Sequence, residues 1–373
     1  MRTADPYFVD RDVFKRFPQK NICFSRARWD EDFTAYGRGI YDRAESKMER
    51  GLKGYTREDY AAMSAAWSVH DTLPRSRGLR MGGSLSTFAP VSKPAEPQSD
   101  PKKNSEFIRR FAKGLGAAEV GTTSLNLDWV YSRDVEGKPL DLEESVRHAI
   151  VFLVPMDQNM LARSPRVPAS TAVGLAYSKC RIISESVARC VAQLGYNAHP
   201  AVNELALSVP LAIDAGLGEF ARNGLLISDV HGMAVRIGKV LTDMPLQQDP
   251  PVNLGVREFC RRCKRCAEKC PPRAISFDDE PSGKTFSVSN NPGIVKWYVN
   301  VDRCYEFWCN NGTDCSNCIT WCPFTKPDTW SHRLARSVIR RTGLLNGLFL
   351  RLDRLFAKER PKLGGSASQG RTS

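Results

Sequence analysis

The sequence predicts an α+β or α/β core followed by a compact metal-binding module. Three observations carry this. Helical and strand-like hydrophobic patterns alternate between residues 104 and 254. Nine of the twelve cysteines then crowd into residues 255–328. Hydrophobic residues make up 42% of the 373 and charged residues 25%, the balance of a globular protein long enough for about two structural units. No apolar run approaches the ~18 residues that a membrane-spanning helix needs.

Taken in order, the chain divides into four stretches. Residues 1–103 form an N-terminal segment and linker, and "LSTFAPVSKPAEPQSDPKKN" (85–104) has the Pro, Ser and Lys content of an extended surface wrap. Residues 104–254 hold the core. There "SEFIRRFAKGLG" puts Phe107, Ile108, Phe111 and Leu115 on one helical face, with Gly116 as its stop. "HAIVFLVPM" (148–156) is a short continuous apolar run, as in a buried strand. In "TAVGLAYSKCRIISESVARCVAQLGY" (171–196), Val173, Tyr177, Ile183, Val187, Val191 and Leu194 recur at helical spacing before Gly195. Residues 255–328 are the metal module. Residues 329–373 end the chain, and "RLARSVIRRTGLLNGLFLRLDRLFAKER" (333–360) reads as one or two basic amphipathic helices, packed on the body or lying on a membrane surface.

Charge and termini narrow the setting. The net charge of +13 suits an acidic partner. No zinc-finger or RNA-recognition signature accompanies it, so nucleic acid is not expected. An acidic electron-donor protein fits the same field, and so does a solvated basic surface. The opening "MRTADPYFVDRDVFKRFPQK" has neither an apolar h-region nor an adjacent arginine pair, which predicts a cytoplasmic protein without a stable membrane anchor. Twelve cysteines in that compartment point to metal or redox use rather than disulfides.

The cysteine spacing is specific. Cys260, Cys263, Cys266 and Cys270-Pro271 follow the bacterial ferredoxin pattern. Cys304, Cys315, Cys318 and Cys322-Pro323 keep its end but move the first cysteine upstream. In such motifs three close cysteines wrap one cubane and the fourth, before proline, reaches the neighbouring one. That assigns Cys260, Cys263, Cys266 and Cys322 to one [4Fe–4S] cluster, and Cys270, Cys304, Cys315 and Cys318 to the other. Cys309 is an alternative to Cys304. Structural zinc sites prefer separated C-x2-C pairs or Cys/His mixtures, which disfavours zinc. Cys23, Cys180 and Cys190 read as small apolar residues. Two clusters form a relay, and the ~250 residues before them should hold its acceptor. No G-x-G-x-x-G follows a strand, so a Rossmann flavin or nicotinamide site is not indicated.

At this point the residues resemble a family. "KWYVNVDRC" and "CYEFWCNNGTDCSNCITWCPFTKP" (304–327) look like the second cluster motif of corrinoid-dependent reductive dehalogenases. The resemblance continues in order through "KNICFSRARWD" (20–30), "LGAAEVGTTSLNLDWVYS" (115–132), "LAYSKCRIISESVARCVAQLGYNA" (175–198), "VPLAIDAGLGEFARNGLLIS" (209–228) and "VRIGKVLTDMPL" (235–246), spanning nearly the whole chain.

The resemblance implies a nitroreductase-like core holding a cobalamin-type corrinoid beside a ferredoxin-like two-cluster module. It implies an oxidoreductase in which electrons pass through both clusters and reduce cobalt to Co(I), halide leaves an organohalide such as a halogenated aromatic, and a proton replaces it. The family's proton donor is a tyrosine supported by a lysine or arginine. The matching positions are Tyr177 and Lys239, with Arg236 as a rival cation one turn away if that stretch is helical. A cation beside a phenol stabilises the phenolate that proton donation leaves behind. Asn203 is a further candidate at this site. Phe24 and Trp29 are candidate walls of the substrate pocket, and Tyr305 and Trp308, near Cys304, are expected beside the corrinoid. "DVHGMA" (229–234) misses the final glycine of the histidine-ligated cobalamin motif, so His231 is not expected to bind cobalt. No reductase domain is recognisable, which implies a separate donor such as a ferredoxin, flavodoxin or reductase. The absence of an export signal favours a catabolic member. The rival readings are an epoxyqueuosine reductase-like enzyme, a non-catalytic iron–sulfur electron carrier and a homologue that binds corrinoid without turnover.

Overall fold

The computed structural model describes residues 9–72, 100–140 and 142–356. Most of the linker expected over 85–104 lies outside these residues.

The N-terminal segment carries helices α1 (Cys23–Trp29), α2 (Ala44–Glu49) and α3 (Arg57–Thr72). Helix α4 (Pro101–Gly114) follows, and it begins before the linker was expected to end. Asp100 is the reason. Its carboxylate accepts from the backbone N–H groups of Lys102 and Lys103, and Pro101 suits the first helical turn. The outer face of α4 also differs from expectation: Ile108 is fully buried, whereas Phe107 is exposed and stacks on Phe111.

The core comprises β1 (Glu119–Ser124), β2 (His148–Pro155), α5 (Gln158–Leu161), α6 (Val167–Gln193), β3 (Ala198–Ala201), α7 (Ser208–Asp214), the short ribbon β4 (Glu219–Phe220) and β5 (Leu226–Ile227), and β6 (Val235–Thr242). Strands β1, β2, β6 and β3 form one sheet in that order, and every pairing is antiparallel. This is the α+β form of the expectation.

The apolar run of β2 is continuous because both of its faces are covered. Ile150, Phe152 and Val154 face a core shared with Ala176, Cys180 and Ile183 of α6. Ala149, Val151 and Leu153 face a second core with Leu211, Ala212 and Ile213 of α7. The 27 residues of α6 give it a length of about 40 Å, and it packs against α3 as well as against β2, β3 and β6.

The remaining chain forms α8 (Val256–Cys263), α9 (Arg265–Glu268), α10 (Val301–Asn311), α11 (Asn317–Thr320), α12 (Trp330–Arg341) and α13 (Asn346–Phe356). The basic tail is thus a pair of helices. It packs back on the body: Ile339 and Leu350 enter the first core, and Asp353 pairs with Arg265 and Lys326. Several tail leucines, Leu344 and Leu355 among them, stay exposed. No described helix is long and apolar enough to cross a membrane.

Arg222 ties core to module. It is fully buried, donates to the carbonyls of Cys260, Ser276 and Asp278, and lies 4.5 Å from the Trp297 ring centroid. At a second seam, Met233 N–H donates to Thr325 Oγ1.

Candidate redox and catalytic site

Local backbone geometry gathers the cysteines. Helix α8 carries Cys260 and Cys263 and is stopped by Lys264 in a left-handed conformation (φ 51°), which turns Cys266 on α9 back toward them. Cys322 precedes a 3-10 turn that opens with Pro323. Cys270 Sγ accepts from the Ala274 N–H at 3.3 Å.

Two groups of thiols result. Cys266 lies in the field of Cys260, Cys322, Cys318 and Cys263, and Cys322 in that of Cys263 and Cys260. Cys304 lies in the field of Cys318, Cys315, Cys23 and Cys270. Burial, then the neighbouring thiols, raise Cys266, Cys322 and Cys304 well above the ordinary thiol range. Burial also pushes Cys263 up to about 12. Thiols this buried and this close resist ionising together, and a bound cation cluster is what makes a set of thiolates stable there. The donor set therefore fits iron–sulfur clusters.

Cys309 sits elsewhere. Its Sγ lies 3.9 Å from the Arg38 carbonyl, in a small core with Phe33 and Tyr305. Five residues along a helix separate the faces of Cys304 and Cys309 by roughly 140°. Only Cys304 turns toward Cys315 and Cys318.

A cavity of about 930 Å³ adjoins the second thiol group. Cys270, Cys304, Cys315 and Cys318 all line it, and Cys260, Cys263, Cys266 and Cys322 do not. Tyr177, Asn203, Arg236 and Trp308 share its wall. Among the described residues, buried polar atoms of several lining residues lack partners: Arg236 Nε, Trp308 Nε1, Asn317 Oδ1 and both amide atoms of Asn291. Such a wall fits a large ligand with many hydrogen-bonding groups, which a corrinoid is.

Tyr177 is held on two sides. Arg236 Cζ lies 4.9 Å from its ring centroid. Trp67 and His70 of α3 pack against the ring, each at 5.3 Å. Buried Asp314, on the same cavity wall, is raised by burial and feels the Arg236 charge, which lowers it.

The pairing of Tyr177 with Lys239 is corrected by the strand. Val235–Thr242 is extended, not helical, so residues 236 and 239 point to opposite faces of the sheet. Arg236, opposite Val154, faces α6. Lys239, opposite Val151, faces the second core. Its ammonium donates to the Val202 carbonyl at 2.6 Å and Ser208 Oγ at 2.9 Å. Burial lowers it to about 7, with Glu204 pulling the other way. Glu204 in turn binds Arg181 at 2.7 Å and accepts from the Val202 N–H. Burial opposes the Glu204 charge, but Arg181 and the N–H bonds outweigh it and bring it down to about 2. Lys239, Glu204 and Arg181 thus hold the turn that presents Asn203 to the cavity.

Three further expectations change. Tyr305 does not line the cavity: it is buried against Phe24 and Phe33, and its hydroxyl donates to Arg38 O. It shares a helical face with Cys309, whereas Val301, Cys304 and Trp308 form the cavity face of α10. Phe24 is not among the lining residues and packs on Trp308, which is, at 5.9 Å between rings. Trp29 is exposed, and its indole donates to the Lys20 carbonyl. Trp308 and Asn203 do line the cavity, and His231 does not.

Sequence reasoning missed Arg222, Trp67, His70, Asn291 and Lys296. Arg222 had a signal, a charge inside the otherwise mild run "EFARNGLL". The others had none, because their role depends on what folds against them.

A two-cluster module opening onto a large, mainly apolar cavity with several open polar groups in an α+β core defines a redox protein of the iron–sulfur class. Residues 259–326 match the 4Fe-4S dicluster domain family. The chain is 41% identical to a tetrachloroethene reductive dehalogenase of Desulfitobacterium hafniense over 257 residues, 68% of this chain and 45% of that protein. It is 29% identical to the tetrachloroethene reductive dehalogenase of Sulfurospirillum multivorans, over 94% of this chain and 81% of that one. Among solved structures it shares the fold of the catabolic reductive dehalogenase NpRdhA, with a TM-score of 0.71 and 22% identity over 94% of this chain and 47% of that chain. The resemblance to reductive dehalogenases read from the sequence is therefore borne out. The chain spans a little under half the length of the first relatives it matches.

Proposed function

We propose that this chain is a reductive dehalogenase that replaces an organic halogen by hydrogen. The net reaction is R–X + 2e⁻ + H⁺ → R–H + X⁻. The observation that carries the reading is Tyr177 under the Arg236 guanidinium, on the wall of a cavity that also reaches four cysteines of the dicluster domain.

The residues divide the work. Cys260, Cys263, Cys266 and Cys322 would hold the outer cluster, which takes electrons from a separate donor protein. Cys270, Cys304, Cys315 and Cys318 would hold the inner one, against the cavity. A cobalamin-type corrinoid, when bound there, supplies a low-valent cobalt able to deliver electrons to a carbon–halogen bond. Tyr177 gives its hydroxyl proton to the carbon, and Arg236 stabilises the phenolate left behind. Trp67 and His70 fix the ring, so the proton is delivered from one direction. Asn203 lines the same wall and orients the substrate.

Anaerobic reconstitution with iron, sulfide and cobalamin tests this. About eight irons and one cobalt per chain are expected, with base-off Co(II) in the EPR spectrum. Tyr177→Phe should keep both metals and lose turnover of halogenated phenols by about 10²-fold or more with reduced viologen as donor. Iron without retained cobalt would leave an electron carrier. Full turnover in Tyr177→Phe would remove the tyrosine from the reaction.

A further inference from the structure

Two polar groups of the cavity have no role in the mechanism above. Both lie on the loop "SNNPGIVKWYV" (289–299). Asn290 uses up its amide, donating to the Val299 carbonyl and accepting from the Phe286 N–H. Asn291, beside it, does the opposite. It is 7% exposed, lines the cavity, and among the described residues leaves both Nδ2 and Oδ1 without a partner. A buried amide left so is destabilising unless a ligand completes it.

Lys296 is the second group. Among the described residues its ammonium makes no ion pair. It rests instead on two rings, 5.2 Å from the Phe220 centroid and 4.7 Å from that of Tyr298. Burial lowers it to about 8. It nonetheless lines the cavity, beside Phe220. Tyr298 connects the pair, since its hydroxyl donates to the Asn291 carbonyl while its ring carries Lys296. The loop is pinned from outside: Asp10 N–H donates to Gly293 O, and Val9 bridges Ile294. This is a built site rather than a loose surface lysine.

Its position indicates what it holds. Ile294 and Phe220 belong to the second core, on the α7 side of the sheet. Tyr177 packs on the first core, on the α6 side. A ligand that meets both Tyr177 and the Asn291–Lys296 pair must therefore bridge residues that belong to opposite sides of the sheet, which calls for a large one. A cation beside an open amide suits an anion with a hydrogen-bonding neighbour. A corrinoid with a nucleotide loop carries one phosphodiester, next to carboxamides that pair reciprocally with an asparagine amide.

We infer that Lys296 and Asn291 form the seat for the phosphodiester and adjoining carboxamide of the corrinoid nucleotide loop. The inference rests on the corrinoid reading proposed above and adds to it which form of the cofactor the chain selects.

Retention of three probes by the iron-loaded protein through gel filtration, read by cobalt content and visible spectrum, tests it without turnover. The probes are cobalamin, cobinamide phosphate and cobinamide, the last lacking the phosphate. Wild type should retain cobalamin and cobinamide phosphate at least about tenfold better than cobinamide, the scale of one charge-assisted hydrogen bond. Lys296→Met should abolish that preference and Lys296→Arg should keep it, each with unchanged iron content. Asn291→Leu should weaken retention of all three. Equal retention of the three probes by wild type overturns the inference alone and leaves Lys296 to an anionic substrate. Retention of none by wild type overturns the corrinoid reading, and this inference with it.

Discussion

At the scale of single residues, the reading turns on which cation serves Tyr177. Lys and Arg three apart are neighbours on a helix and strangers on a strand. Because Val235–Thr242 is a strand, Arg236 meets Tyr177 and Lys239 meets the Val202 carbonyl. Arg236→Met should therefore cut turnover at least about tenfold with little change in thermal midpoint. Lys239→Met should mainly lower the midpoint, by loosening the turn that carries Asn203. The reverse pattern would show that strand parity misassigns the pair. Lys239 also sets a pH dependence. Its folded value, about 7, lies below the ordinary 10.5. The unfolded chain therefore binds the extra proton between those values, and stability rises with pH across that window. Its slope is at most about 1.4 kcal/mol per pH unit. Below about 7 the fold must keep a buried ammonium, and the gain is gone. Between pH 7 and pH 9 the thermal midpoint should rise more in the wild type than in Lys239→Met. Parallel profiles would remove Lys239 as the cause.

Among the elements, the seam between core and dicluster domain is the most exacting. Gly232 adopts φ 57°, and a Cβ there would lie 2.2 Å from the Phe324 carbonyl oxygen, two residues after Cys322. Backbone cannot yield as a side-chain tip can. Gly232→Ala should cost about 1–3 kcal/mol and reduce iron retained after gel filtration. Unchanged stability and iron content would mean that this seam is looser than its geometry. The same segment, "DVHGMA", drew notice in the sequence for its histidine. In the structure its glycine matters more, because it lets the core approach the module closely.

For the whole molecule, the two thiol groups are not equivalent. Cys322 belongs to the first core together with Cys260 and Cys263, whereas Cys270 and Cys304 pack in a separate cluster around Ala274 and Ile275. Loss of Cys322 should therefore remove one cluster and disturb the core around it. Cys322→Ala is expected to hold about four irons in place of about eight, and to melt lower than Cys304→Ala. Equal iron in Cys322→Ala and wild type would refute its assignment as a ligand.

Much of this protein follows from local pattern alone. Cysteine spacing is a property of the chain, so the two thiol groups and the dicluster domain were readable from it. The buried strand His148–Pro155 and the long helix Val167–Gln193 were readable for the same reason, since each carries its own hydrophobic period. Tertiary structure decided what period cannot express. It separated Arg236 from Lys239 by fixing a strand where a helix was considered, and separated Cys304 from Cys309 by the rotation of one helix. It turned Tyr305 and Trp29 away from the cavity and brought Trp67, His70, Asn291 and Lys296 to places that no local pattern marks. Those residues act through partners far along the chain, and only folding brings such partners within reach.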